Sequence, residues 1–140
     1  MNDRLARLRK LAGLQQTLKD FHETRNGSHL ADAIRARRDA QEIASIVDSG
    51  SPLASTFTDV YARRIVAAEA EENESLRQAA IEARRAAAAG VRLKRVEQTA
   101  RKAESAVERA AQERDALERA GAANPSKVAA SLSPHHGLRK

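Results

Sequence analysis

Apolar residues recur along this chain at helical spacing, and nowhere at the strict alternation of a strand. Leu11, Leu14, Leu18 and Phe21 are separated by three, four and three residues, and Ala33, Ala36, Ala40, Ile43 and Val47 repeat a similar rhythm. The two runs are out of phase. Leu11 and Ala33 lie 22 residues apart, one more than three heptads. The extra residue falls near Asn26-Gly27-Ser28, the weakest helix-forming triplet of the segment, so a local unwinding or kink without a chain reversal is expected there. Further along, Leu93, Val96, Ala100, Ala103, Val107, Ala110, Arg114 and Leu117 hold a 3-4 alternation. Phe57, Tyr61, Ile65 and Ala68 do so roughly, with an expected slip of phase between Glu72 and Gly90.

Proline and glycine divide this pattern. The three prolines are Pro52, Pro125 and Pro134, which leaves two long proline-free stretches. Between them, Asp48-Ser49-Gly50-Ser51-Pro52 reads as a turn. Gly50 supplies a residue able to take positive φ at a helix C-terminus, and Pro52 does not continue the preceding helix. The next helix starts either with Ser51 as N-cap and Pro52 in the first turn, or with Thr56 capping and Asp59 three residues on. It should stop near Gly121, just before Asn124-Pro125. The expectation is an all-α chain of two long helices, about 3–48 and 55–120, forming an antiparallel coiled-coil hairpin over 1–121. A disordered tail is expected over 122–140. At 1.5 Å per residue the helices should measure roughly 70 and 100 Å.

A short connection between long helices makes them antiparallel neighbours. Folding at the turn pairs residues whose numbers sum to about 104, so Val47 should meet Phe57, Ile43 should meet Tyr61, and Leu11 should meet Leu93. The large side chains expected in the seam are Leu11, Leu18, Ile43, Phe57, Tyr61 and Leu93, with alanine elsewhere bringing the backbones close.

Composition narrows the class of protein. Leu, Ile, Val and Phe supply only 26 of 140 residues, too few for a layered globular core, while Ala, Glu, Lys, Leu and Arg supply 79. That balance is typical of long helices and coiled coils. The absence of cysteine removes disulfides, thiolate metal sites and a cysteine nucleophile. No apolar run approaches the roughly 18 residues of a membrane span. Met1-Asn2-Asp3-Arg4 opens an amphipathic segment with no apolar leader core, so a cytoplasmic protein without a secretory signal is expected.

Charge is unevenly spread. The net charge is +6. Residues 1–25 carry six basic and three acidic groups, and residues 76–102 carry eight and two. A hairpin lays these two segments side by side, whereas the half nearest the turn is acidic. Arg4, Arg7, Arg9 and Lys10 would then crowd against Arg92, Lys94, Arg95, Arg101 and Lys102. Such crowding is costly unless water, salt or an anionic partner screens it, so this end reads either as a solvated basic face or as a docking surface for an acidic partner. Leu8 and Leu11 are the candidate apolar anchors at that end.

Catalytic and metal chemistry finds little support. His135-His136 lack a third nearby ligand, and His22 and His29 are seven residues apart, which suits interhelical packing or exposure better than a shared metal. Asp20-Phe21-His22-Glu23 contains acid-base residue types, but a pair of helices offers no pocket in which to perturb them. Phosphate-binding glycine loops and nucleophile elbows are absent. Glu69-Ala70-Glu71-Glu72-Asn73-Glu74 reads as a solvated acidic face. Ala86-Ala87-Ala88-Ala89-Gly90 is a strong helix former ending in a weak one, consistent with either close approach or a bend. No enzyme activity, cofactor or metal is expected.

Arg4-Leu5-Ala6-Arg7-Leu8-Arg9-Lys10-Leu11 is a basic, leucine-spaced start to a helix of about 45 residues. A turn near residue 50 follows, then a longer helix rich in Arg, Ala and Glu. This arrangement resembles FliJ, a small component of the bacterial flagellar export apparatus, and its injectisome counterpart YscO. The chain is poorer in Gln and large apolar residues than that family. The resemblance implies an antiparallel coiled coil like that of the rotary ATPase gamma subunit, without catalysis of its own. It also implies association with the export ATPase FliI, the export gate protein FlhA and export chaperones, and peripheral placement at the inner face of the cell membrane. By the same likeness the partner-binding candidates are Arg4, Arg7, Leu8, Arg9, Lys10 and Leu11, joined by Arg92, Lys94 and Arg95 across the hairpin. Two other classes compete: a general coiled-coil adaptor or phasin-like protein, and a basic nucleic-acid-associated protein. The second is disfavoured by the near absence of aromatic side chains.

Overall fold

A computed structural model describes residues 2–123, with side-chain burial from Asp3 onward. The chain is all-α, and no strand occurs among the described residues. Helix α1 spans Asn2–Asp48, a short α2 spans Pro52–Thr56, and α3 spans Thr58–Ala123. The tail expected over 122–140 begins later than expected, because α3 runs on through Gly121 to Ala123; its remainder from residue 124, with His135 and His136, lies outside the described residues.

The turn forms as its residues dictate. Gly50 takes φ +69°, and its N–H donates to the Val47 carbonyl at 3.3 Å. The Ser49 hydroxyl donates to the Ile46 carbonyl at 2.7 Å, covering another of the carbonyls left open at the end of α1. Pro52 then opens α2 from its first turn. Both expected start points leave a trace, since the chain breaks again at Phe57 before α3 begins. Thr56 does not cap α3. Its hydroxyl donates back to the Pro52 carbonyl at 2.9 Å, and Thr58 instead opens the long helix.

Lys10–Val96 form one compact unit, and the described residues on either side of it, 2–9 and 97–123, form another. Within the first, the partners across the helices run in opposite order. Gln15 meets Arg92, His22 meets Glu82, and Asn26 meets the Ala79 carbonyl. These pairs sum to between 104 and 107, close to the expected register.

The buried and half-buried positions reveal the seam. On α1 they run through Ala12, Gln15, Lys19, His22, Asn26 and His29, then Ala33, Ala36, Ala40 and Ile43. On α3 they run through Tyr61, Ile65, Ala68, Glu72 and Ser75, then Ala79, Glu82, Ala86, Ala89, Leu93 and Val96. Each is an unbroken 3-4 alternation, with a few half-buried residues such as Leu18 and Ile81 beside it. In the second unit, Leu5 and Leu8 of α1 and Ala100, Ala103, Val107 and Ala110 of α3 are half-buried in the same rhythm.

Four expectations are corrected by this seam. The unwinding at Asn26-Gly27-Ser28 does not occur. α1 is continuous there, because Asn26 is itself a seam residue whose amide donates to the Ala79 carbonyl at 2.8 Å. No phase slip occurs between Glu72 and Gly90 either, because the polar residues Glu72, Ser75 and Glu82 occupy the seam positions there. Leu11 and Phe57, expected in the core, are 41% and 49% exposed. Leu11 sits one column beside the seam, so Leu93 is buried without it, and Phe57 lies at the break between α2 and α3. Val47 is also exposed, so the expected Val47–Phe57 pair does not close the turn end.

Three helix-interior glycines are open to improvement. A Cβ at Gly13 or Gly27 would meet nothing within 4 Å. At Gly90 it would meet the Lys19 methylene stem at 3.8 Å, an ordinary contact, so nothing packed against α3 there requires a glycine. Each Gly→Ala replacement is therefore expected to stabilise the fold by about 0.5–1 kcal/mol in urea unfolding, because glycine loses more chain entropy in a helix. A loss of stability at Gly27→Ala would contradict the open helix face described here.

Candidate functional site

The basic residues expected at one end fall into two sets, one in each unit. Arg4, Arg7 and Arg9 are exposed on α1, and Arg101 and Lys102 are exposed on α3. Arg7 Nε donates to the Asp3 carbonyl at 3.3 Å, and Arg9 pairs with Glu104 of α3. Leu8 is half-buried in the seam and so serves the pairing of the helices first. In the unit Lys10–Val96, Lys10 and Leu11 are exposed on α1, while Arg92, Lys94 and Arg95 are exposed on α3. Arg92 Nε donates to Gln15 Oε1 at 3.1 Å. Each unit thus gives one of these arginines an acceptor on the facing helix, Glu104 for Arg9 and Gln15 for Arg92.

Among the described residues, the most deeply buried polar group was not foreseen. Glu82 lies in the α3 seam and is only 2% exposed. His22 Nδ1 approaches Glu82 Oε2 at 2.5 Å, and an ionised carboxylate only accepts, so Nδ1 carries the proton of this bond. Glu82 Oε1 accepts from Arg25 Nε at 3.3 Å and from Arg85 Nη1 at 3.0 Å. Arg25 also lies over the Phe21 ring, 5.6 Å from its centre, and His22 meets that ring edge-on. The His22 hydrogen bond, opposed by burial and helped by Arg25 and Arg85, holds the Glu82 carboxyl below its ordinary range. A buried carboxylate met by three donors from two helices fixes their register, since sliding either helix by one turn would leave it buried and unmatched.

No family model, curated protein or solved structure matches the chain. The chemistry of the site therefore rests on its residues. Among the described residues, no group of three His, Cys, Asp or Glu side chains is placed to hold a metal ion. His29, expected to pack or face solvent, is a half-buried seam residue one heptad from His22. No described helix is long and apolar enough to cross a membrane. The arrangement is suited to pairing two helices in one register and to presenting charged and apolar side chains along their outer faces.

Proposed function

We propose that this chain is an antiparallel coiled-coil hairpin serving the bacterial flagellar, type III, export apparatus in the manner of FliJ. In that role it has no catalytic activity or cofactor. It couples the export ATPase ring FliI to the export gate FlhA and receives export chaperones, in the cytoplasm and at the inner face of the membrane through its partners. The observation that carries this reading is the reversed order of the contacts between two very long helices, combined with a basic N-terminal segment left exposed along α1. Two long helices running in opposite order offer separate faces on which different partners can dock. Exposed arginines at its start raise the rate of encounter with an acidic surface, an effect that weakens as salt rises.

The test replaces Arg4, Arg7 and Arg9 together by Glu in the organism, followed by swimming and secretion assays with protein level and helix content measured. Loss of motility and of flagellar export at normal abundance and helicity is the expected result. Normal swimming and export would overturn the proposal. Capture of storage-granule material in place of export components would assign the chain to the general adaptor class instead, and salt-sensitive capture of nucleic acid would assign it to the third class.

A further inference from the structure

The stripe Leu11, Leu14, Leu18 and Phe21 is left over once the seam is drawn. Its spacing places all four on one face of α1, immediately beside the seam columns. Leu11 is 41% exposed, Leu14 54% and Phe21 53%, whereas Leu18 is half-buried at the edge of the seam. Single exposed leucines are ordinary on a protein surface. Four large apolar side chains in a row, in a chain with so few, are not.

What lies opposite the stripe is set by contacts already described. The next position along the same face is Arg25, which reaches Glu82, and Arg85 reaches Glu82 from α3. One heptad further along α3, Arg92 reaches Gln15, which lies between Leu11 and Leu18. Arg85 and Arg92 therefore stand on the side of the seam where the leucine stripe stands. Their face of α3 continues through Ala88 and Arg95, and contains no acidic residue between Arg85 and Arg95. The two helices thus form a shallow groove within the unit Lys10–Val96. One wall is apolar, from α1, and the other is rich in arginine, from α3.

We infer that this groove receives an amphipathic helix of a partner protein, with leucine-like residues along one edge and carboxylates along the other. Charge complementarity selects the acids. The 3-4-3 spacing of the apolar wall selects a helix, which would lie beside α1 and α3 as a third member of the bundle. A second copy of this chain fits poorly, since it would set arginine wall against arginine wall or against leucines. The apolar wall offers on the order of 300–400 Å², the size of a functional patch on a monomer. That is well below the roughly 800 Å² per partner of a standard interface. The inference concerns the groove alone and holds whichever assembly the chain serves.

The experiment uses the full chain and two synthetic helical peptides of about 20 residues. Both carry leucine at 3-4 spacing, and one has glutamate and the other lysine along a single flank. Binding is read by fluorescence anisotropy, with vesicles of phosphatidylcholine alone or mixed with phosphatidylglycerol as separate probes. The glutamate peptide is expected to bind at least tenfold more tightly than the lysine peptide. Leu14→Ser with Phe21→Ser should weaken it at least tenfold with helicity unchanged. Arg92→Glu should weaken the glutamate peptide and strengthen the lysine peptide, an exchange that loss of packing would not produce. Equal binding of the two peptides, or none, overturns the inference. So does glutamate-peptide binding indifferent to Leu14 and Phe21, preferential binding to anionic vesicles, or a dimer in sedimentation that Phe21→Ser dissolves.

Discussion

Replacing His22 by leucine is expected to be among the most destabilising single changes in this protein, and a second change, Glu82→Leu, is expected to reverse it. At neutral pH the Glu82 carboxylate is ionised, almost wholly enclosed, and held first by His22. Removing the imidazole leaves that charge among alanines, with only Arg25 and Arg85 to meet it. Both arginine side chains are at least half exposed, so they are drawn toward water. Breaking a buried pair from one side is costly, whereas replacing both members by apolar groups is often neutral or stabilising. The thermal midpoint of His22→Leu should therefore fall by roughly 10 °C or more, and the double variant should return to or above the starting value. Additive losses in the double variant would mean that the two side chains do not act as a pair.

The same carboxylate sets a pH window. Its folded pKa is depressed, so ionisation stabilises the fold above the unfolded carboxylate value of about 4.3, and that contribution is lost as pH falls through the folded value. The wild-type midpoint should decline on acidification below about pH 4, and the His22→Leu/Glu82→Leu variant should decline less. Retained register is a separate matter. A leucine pair in an alanine-rich seam gives no penalty for sliding by a heptad, so the stabilised double variant should show broader distance distributions between spin labels at Ile43 and Tyr61.

Much of the architecture was legible because a few residues punctuate it. Gly50 and Pro52 place the turn, and the alanine-rich repeats from Ala33 and from Leu93 place the seam at the two ends of the long pairing. The middle was not legible from apolarity. Between residues 11 and 21 the columns beside the seam hold Leu, Leu, Leu and Phe, whereas the seam itself holds Ala12, Gln15 and Lys19. Tracing the most apolar column therefore selects the wrong face and demands a phase slip that the helix does not make. The signal that locates the true seam is continuity of register. Carrying the repeat back from Ile43 and Ala36 by sevens reaches His29 and His22, and carrying it back from Val96 and Ala89 reaches Glu82. An acid and a histidine on converging heptad positions of two helices are a candidate pair, which composition alone does not reveal. The partner-binding face was half visible. Leu11, Arg92 and Arg95 stand out for charge and position, but Leu14 and Phe21, spaced in one apolar run with Leu11 and Leu18, give no sign in the sequence that they lie at the surface.

Truncating the side chains that do fill the seam separates these two faces by energy. Ile43 is 7% exposed and Leu93 8%, the largest apolar side chains buried among the described residues. Ile43→Ala and Leu93→Ala should each cost about 2–4 kcal/mol in urea unfolding, since a pair of helices relaxes only partly around the lost volume. Leu11→Ala and Phe21→Ala, on the open stripe, should stay within about 0.5 kcal/mol of wild type. Alanine in the seam works in the opposite sense. Ala89 is fully buried, so Ala89→Leu would force the helices apart and should cost about 1–3 kcal/mol although it adds apolar surface. If Leu11→Ala proved as damaging as Leu93→Ala, the leucine stripe would have to lie inside the helix pair. The polar residues Gln15, Lys19 and His22 would then face water, and Glu82 would lose the donor that makes its burial tolerable.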